Sequence, residues 1–518
     1  MAIAYQETHS VWQEADQPFL PSLGSHETAD VCVIGAGISG LTTAYELLES
    51  GRSVVVLERS ELHSGQTILS SAHLVNALDD RYFTIRKKHG LEKARLAAES
   101  HTRAIDEVER IIRAEGIDCE FARVPGFLFL YEGDEVGLLH RELDACHAVG
   151  LKEVELTSPS SAFPVPLGPS LRFPHQARFH PGKYLAGLAR AIQRKGGKIY
   201  TRTEAQTVEG GHPARVTTNR GFQVVSESIV VATNVPFNDR FTMHTKMAPY
   251  RTYIVGLAVP EHDFTPALFW DTGDPYHYIR SCIGANDEQI LLVGGEDHRT
   301  GQDQAPENRF RLLRTWARDR LGVEGELRYQ WSGQILEPHD GMAFIGLNPG
   351  DKDNVYIVTG DSGNGLTHGT IAGMLLRDLI SKKDNPWSAL YDPARVSLRS
   401  FTTLVSETAQ STAPYADWVT GGDVSTIAEI PAGEGAVVRE GMQKLAVYRD
   451  HNGLPHFFSA VCPHLNGIVR WNSAEKTWDC PCHGSRFDRL GHLVNGPATT
   501  GLSAVVDSRI REEGAASA

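Results

Sequence analysis

Two short loops of this chain, Cys462-Pro463-His464 and Cys480-Pro481-Cys482-His483, each bring a thiol and an imidazole together. Two thiolates and two imidazoles in that arrangement suit a [2Fe–2S] cluster. The thiolates hold one iron and the imidazoles the other, which lifts the reduction potential well above that of an all-cysteine cluster. Such a centre takes up and releases one electron at a time. The competing reading is a zinc site, although zinc fingers usually place both cysteines before both histidines. Here each loop carries one of each, which favours the cluster. Between the loops, Val469-Arg470-Trp471 suits a hairpin that returns the chain to the second one.

The continuation of the second loop, Ser485-Arg486-Phe487-Asp488, and the later Asn495-Gly496-Pro497-Ala498 extend the pattern. Over residues 421–510 the chain resembles Rieske proteins. The resemblance implies a Rieske [2Fe-2S] cluster held by Cys462, His464, Cys480 and His483. Many respiratory Rieske proteins bond the middle cysteine of the second loop to a cysteine of the first. That position is Gly467 here, so no loop disulfide is expected. They also place a tyrosine hydroxyl near a cysteine ligand, where this chain has Phe487. Ser485 remains to donate to a sulfur. Fewer donors stabilise the reduced cluster less, so the expected potential lies below the respiratory ones.

At the other end, Val31 to Ile34 reads as a buried parallel strand running into Gly35-Ala36-Gly37-Ile38-Ser39-Gly40. Gly35 and Gly37 allow a tight turn and close approach of a pyrophosphate, and Gly40 lets the next helix, Gly40 to Ser50, pack on the strand. The helix N-terminus offers free N–H groups to phosphate. A second strand, Ser53 to Leu57, ends in Glu58, placed to accept ribose hydroxyls. The motif by itself leaves NAD and FAD open.

Three further segments bear on that choice. Arg59 to Thr67 leads to Ser70-Ser71-Ala72-His73; Ile229 to Asn234 reads as a late strand; Val355 to Thr359 runs into Gly363-Asn364-Gly365-Leu366-Thr367 and an apolar helix, Ile371 to Ile380. Together they resemble the D-amino-acid oxidase-like flavoproteins, which include glycine and sarcosine oxidases, over residues 28–390. The resemblance implies FAD, with Gly35, Gly37, Gly40 and Glu58 around its ADP half and Arg59 and Thr67 also binding the cofactor. Gly363, Asn364, Gly365, Leu366 and Thr367 would line the isoalloxazine, with Ser71, Ala72 and His73 beside it. His73 is expected to hydrogen-bond the flavin rather than carry it covalently. No Cys lies between Cys282 and Cys462, so attachment through a late cysteine is not expected.

The elements that must position these groups follow from composition and pattern. With 518 residues, several domains are expected. The fold class expected is α/β (α+β overall): a Rossmann-like FAD-binding domain with an inserted antiparallel-sheet substrate domain, followed by an all-β Rieske domain. The expected boundaries are an N-terminal arm at 1–29, an FAD-binding domain at 30–95, 172–245 and 334–390, and a substrate domain at 96–171 and 246–333. A Ser/Thr-rich linker follows at 391–420, then the Rieske domain at 421–510 and a tail at 511–518. Helical periodicity marks 85–115, Pro181 to Ile192 and Asn308 to Leu321; strands are expected at Tyr250 to Ala258, Tyr276 to Ser281 and Gln289 to Val293.

Candidate substrate residues sit on the second sheet. Arg251 and Arg280 suit a carboxylate, because a guanidinium pairs with it bidentately. Tyr253 and Tyr278 suit the walls of an amine site. With His73 these form the expected catalytic set. Neither a 2-His-1-carboxylate iron site nor a second dinucleotide fold is evident.

A net charge of −14 argues against nucleic acid and anionic membrane as partners. No transmembrane-length apolar stretch or signal-peptide pattern is present, and the seven cysteines show no paired pattern, so the expected compartment is cytoplasmic. The resemblances imply an oxidoreductase in which a small amine or amino acid reduces the flavin. Electrons then pass singly through the cluster to an external acceptor or carrier protein, with His464 and His483 as the expected exit. Reverse flow, from a carrier through the cluster to a flavin that reduces or monooxygenates a bound compound, is the first alternative. A redox sensor without turnover is the second.

Overall fold

The computed structural model describes residues 8–158, 162–238, 243, 245–260, 266–303, 305–395, 417, 418 and 420–505. The expected tail at 511–518 and most of the linker at 391–420 lie outside the described residues.

Short Val- and Ile-rich runs, buried on both faces, build a parallel sheet. Its order is Phe344–Leu347, Val355–Thr359, Gln223–Val231, Glu27–Ile34, Val54–Leu57, Lys198–Tyr200. Only the Phe344–Leu347 strand in that path runs antiparallel to its neighbour. Helices Ile38–Glu49 and Gly365–Ile380 pack against each other, with Gly373 against Thr42 and Gly369 against Ser39. This is the nucleotide-binding arrangement expected. The last helix starts at Gly365, a turn and a half before the expected Ile371: its first turns are polar and Gly-containing, so apolar periodicity sees only its later part.

A second, nine-stranded sheet stands beside it. Its path runs Glu326–Pro338, Met247–Ala258, Gln289–Arg299, Tyr278–Ile283, Leu268–Asp271, Ala122–Phe129, Ser170–Arg178, His73–Leu74. The pairing is antiparallel except between Leu268–Asp271 and Ala122–Phe129, which run parallel. Strand Ser170–Arg178 crosses the expected boundary at 171/172 and pairs wholly within this sheet.

The described part of the expected N-terminal arm is packed, not free. Trp12 is fully buried and donates from its indole N–H to Ser70 O at 2.9 Å, and Ser10 Oγ donates to Ile68 O at 2.6 Å. Both carbonyls belong to the loop that leads to His73, so the arm fixes that loop.

The C-terminal unit is all β. Strands Gly435–Glu440, Gln443–Arg449 and Pro455–Ser459 form one antiparallel sheet; Arg470–Asn472, Thr477–Asp479, Arg486–Asp488 and Leu493–Asn495 form the other. The Arg470–Asn472 and Thr477–Asp479 pair is the hairpin expected between the two Cys/His loops. Among the described residues, no helix is long and apolar enough to cross a membrane.

Candidate functional site

A cavity of about 1210 Å³ runs from the first βαβ unit, between the two sheets, to the C-terminal unit. At its first end, Gly35 and Gly37 line it with Glu58, Arg59 and Thr67. Gly40 does not reach the cavity. A Cβ on it would overlap Gly35 O, so its place is to let the helix start tight against the turn. Glu58 accepts from the N–H groups of Ala36 and Ser60, each at 2.9 Å, which fixes its carboxylate at the strand end. Thr67 Oγ1 accepts from Ile38 N–H at 3.0 Å at the start of the helix.

Farther in, Ser71, His73, Gly363, Asn364, Gly365 and Leu366 line the cavity. Two residues expected there do not. Thr367 turns behind its helix, where its Oγ1 meets His101 Nδ1 at 2.8 Å. Ala72 is buried with φ 60°, and its carbonyl accepts from Arg280. Among the described residues, two buried polar atoms on the cavity wall have no hydrogen-bond partner: Gln334 Oε1 and Asn234 Nδ2. A long cavity with a phosphate-accepting turn, a carboxylate at a strand end and orphaned donors and acceptors deeper in fits FAD. Burial, helped by the Arg280 charge, pushes the His73 imidazole down to about 3, so it is neutral and can only donate or accept a hydrogen bond.

Of the five expected catalytic residues, His73 and Tyr278 line the cavity, with ring centroids 5.9 Å apart. Arg251, Tyr253 and Arg280 do not. Side chains alternate along the Met247–Ala258 strand, so Thr252 faces the cavity and donates or accepts at the Tyr278 hydroxyl at 2.8 Å, while Arg251 and Tyr253 face away. Tyr253 OH meets His298 Nε2 at 2.9 Å in a separate core. Arg280 donates to Ala72 O at 2.8 Å and Phe179 O at 3.2 Å and lies over Trp12, holding the His73 loop in place.

Sequence reasoning missed the groups that do stand there. Asp79, Arg81, Trp270 and Tyr276 complete this end of the cavity. The Asp79 carboxylate lies against Gly363, and its N–H donates to Asn364 Oδ1 at 3.1 Å, so it borders the turn expected to line the isoalloxazine. Burial raises the Asp79 carboxyl to about 7; the Arg81 charge and a Tyr276 hydrogen bond oppose that shift, and nearby Asp80 adds to it. Asp297 also rises to about 7 and Asp361 to about 6, both chiefly by burial. The run Leu78-Asp79-Asp80-Arg81, just beyond the His73 loop, was the available signal. His368 also lines the cavity; its Nδ1 donates to Asp361 O at 2.8 Å, and its Nε2 lies 3.2 Å from His101 Nε2.

In the C-terminal unit, Cys462 and Cys480 are buried side by side, and the His464 and His483 rings lie 5.1 Å apart at 89°. Ile468, Val469, Trp478, Phe487 and Ala498 enclose the sulfurs. A thiol pair, an imidazole pair and a dry surround fit a mixed-ligand [2Fe–2S] cluster. Among the described residues, no two cysteines form a disulfide. The Gly467 Cα abuts the Cys482 sulfur, where any added Cβ would come within 2.5 Å. Ser485 Oγ donates towards the Cys462 sulfur, as expected, and Phe487 is fully buried.

The two ends meet over a buried ionic lattice. Arg251 donates to Ser332 Oγ and to Glu475 Oε2, across from the second sheet to the C-terminal unit. Glu475 also takes Arg486 Nη2 at 2.6 Å, and Arg486 Nε reaches Asp479 Oδ1 at 3.0 Å. These side chains are between 0% and 2% exposed, which explains why Arg251 is unavailable to a substrate. Burial opposes ionisation of Asp479, but the charges of Arg486 and Arg251 hold its carboxyl below the usual range. The second Cys/His loop docks beside the lattice. Gln334, on the cavity wall, donates from Nε2 to Gly484 O at 3.1 Å. Gly484 has φ +78°, and a Cβ there would strike Gln334 Nε2 and Pro249 Cβ at 2.5 and 2.6 Å. Only glycine lets the loop approach this closely.

Comparison with known proteins agrees with this geometry. Residues 30–379 match the family described as FAD dependent oxidoreductase, and residues 421–506 match the Rieske [2Fe-2S] domain. The Bacillus subtilis (strain 168) protein YhfW, carried under a Rieske 2Fe-2S iron-sulfur description, is 31% identical over 507 residues, covering 97% of this chain and 98% of YhfW. The gamma-glutamylputrescine oxidoreductase of Escherichia coli (strain K12) is 26% identical over 390 residues, covering 72% of this chain and 89% of that protein. The crystal structure of glycine oxidase from Geobacillus kaustophilus superposes with a TM-score of 0.60 at 17% identity, over 71% of this chain and 99% of that one. The chain therefore belongs to the FAD-dependent oxidoreductase family of D-amino-acid oxidase-like fold, extended by a C-terminal Rieske domain, and its cofactors are FAD and a Rieske [2Fe-2S] cluster.

Proposed function

We propose that this protein oxidises a small amine or amino acid at FAD and passes the electrons through the Rieske cluster to an external acceptor. The observation that carries the reading is the docking of the second Cys/His loop on the cavity wall, with Gly484 O bonded to Gln334 Nε2. Bound FAD supplies a two-electron acceptor, and the cluster a one-electron carrier. Cys462, His464, Cys480 and His483 would hold the cluster; Gly35, Gly37, Glu58, Arg59 and Thr67 would hold the ADP half of FAD.

The substrate end suits an amine. Asp79 meets an incoming ammonium with a carboxylate whose affinity for a proton is raised to about 7, chiefly by burial. It can therefore take the ammonium proton at its carboxylate and leave the amine neutral. Tyr276, Tyr278 and Trp270 enclose the position and keep bulk water from it. Arg81, on the same wall, is the cation available to a substrate carboxylate in place of Arg251 and Arg280; its backbone-directed bonds to Asp79 O and Asp271 O hold its guanidinium in orientation. His73 presents a neutral imidazole to the flavin edge. The names of two similar proteins, a gamma-glutamylputrescine oxidoreductase and a glycine oxidase, point to the same substrate class.

The test is anaerobic mixing of the purified holoprotein with a panel of N-methyl amines and amino acids, followed by absorbance and low-temperature EPR. Flavin bleaching together with a reduced-Rieske signal is the expected result. Full occupancy of both cofactors with no bleaching by any member would overturn the reading.

A further inference from the structure

The segment Leu493–Thr500 has two faces. One packs on the cluster pocket: Ala498 belongs to the apolar group around Cys462 and Cys480, Leu493 packs against that group, and Ala498 N–H donates to Ser485 Oγ at 3.0 Å. Ser485 is fully buried on the second cluster loop, and its hydroxyl points at the Cys462 sulfur. The other face closes the large cavity. Val494, Asn495, Gly496 and Thr499 line it opposite Glu58 and Arg59, and the Arg59 guanidinium donates to Val494 O. Regular strand structure ends at Asn495, so few ladder bonds hold the rest of the segment. Its conformation depends on what it leans against.

We infer that Leu493–Thr500 belongs to both cofactor sites, and that FAD and the cluster consequently bind cooperatively. The cluster pins the two Cys/His loops, as a metal centre pins the ligands it gathers. Those loops hold Ser485, Ser485 holds Ala498, and the segment then stays closed over the ADP end of the FAD cavity. Without the cluster the two Cys/His loops are no longer pinned, Ser485 shifts with its loop away from Ala498, the segment loosens, and FAD escapes faster. Linkage makes the coupling reciprocal: FAD filling the cavity keeps the segment against the cluster and slows iron loss. Effects of this kind are typically about 5–150-fold in affinity. The inference concerns how the cofactors are held and is independent of the substrate.

The experiment uses the full-length holoprotein. FAD release is followed by flavin fluorescence on dilution, before and after iron is withdrawn with a chelator and reductant. Conversely, iron loss to the chelator is followed in FAD-loaded and FAD-stripped protein. Both rates are expected to rise at least about fivefold when the other cofactor is missing. Because withdrawing iron can also unfold the C-terminal unit, a Ser485→Ala variant with intact cluster absorbance decides that case. It is expected to release FAD several-fold faster than wild type, although residue 485 does not line the cavity. FAD release unchanged by Ser485→Ala, or iron loss indifferent to FAD, would overturn the inference.

Discussion

The cluster pocket and the flavin cavity hold redox groups in opposite surroundings. The first is small and dry: Cys462 and Cys480 are 1% and 2% exposed, and hydrocarbon from Ile468, Val469, Trp478 and Phe487 closes around them. The second is long and carries titratable groups along its wall, among them Asp79 and Asp361, both with raised carboxyls. In the dry pocket a charge change has little to relax against, so a single donor such as Ser485 weighs heavily. In the cavity, burial raises the carboxyls of Asp79 and Asp361 to about 7 and about 6. On the proposed reading, the first site carries electrons and the second also handles the substrate's proton.

Three variants would break or sharpen that contrast. His483→Leu attacks the cluster alone. In protein kept saturated with FAD, amine-driven flavin bleaching is expected to persist while turnover with a one-electron acceptor falls to background. Survival of that turnover would show that electrons leave by another route.

Asp79→Asn attacks the proton-handling wall. The rate of flavin reduction by an amine is expected to fall about 10²–10⁴-fold in stopped-flow measurements. The wild-type rate should also depend on pH with a definite sign. The working form of Asp79 is the carboxylate, so the rate rises as pH passes about 7 and falls below it, and the variant loses that step. An unchanged rate and pH profile would move the amine away from Asp79.

Arg251→Met tests the seam between the two sites and gives the smallest effect. Glu475 keeps Arg486 but loses one guanidinium in a fully buried position. Breaking a buried pair by removing one partner costs about 3–5 kcal/mol, and the retained partner puts the loss near the low end. The expected outcome is a lower urea midpoint for the cluster absorbance, with little change in the amine concentration needed for half-maximal flavin reduction. A large rise in that concentration would return Arg251 to the substrate site.

The two sites also differ in how far the chain betrayed them before folding. Cluster ligands lie in two loops joined by one hairpin, so spacing alone brings them together. The Gly35 turn and Glu58 are legible for the same reason, because strand, turn and helix are consecutive. The substrate wall is assembled from segments far apart in the chain, and there side-chain type misleads. Arg251 and Thr252 are neighbours on one strand and face opposite ways; which face turns to the cavity, and that the other meets Glu475 of the C-terminal unit, is settled only by packing. Arg280 is an apt carboxylate ligand by chemistry, yet it is turned behind the His73 loop onto Ala72 O and Phe179 O and does not line the cavity. Asp79 stood in a charged run beyond the His73 loop, but nothing in that run or around Tyr276 encodes the burial the two share.

The tight seat of Gly484 gives the cluster an inner and an outer doorway. Pro481, Cys482 and Gly484 are buried, and Gly301 leaves Pro481 no more than about 3 Å of room, so the second loop belongs to the flavin side. Pro463 and Asn466 of the first loop are exposed, with Trp418 bonded to Asn466 O at 2.9 Å beside them. A carrier arriving from solvent would therefore meet the first loop before the second. Current through this molecule would thus cross the cluster from one loop to the other.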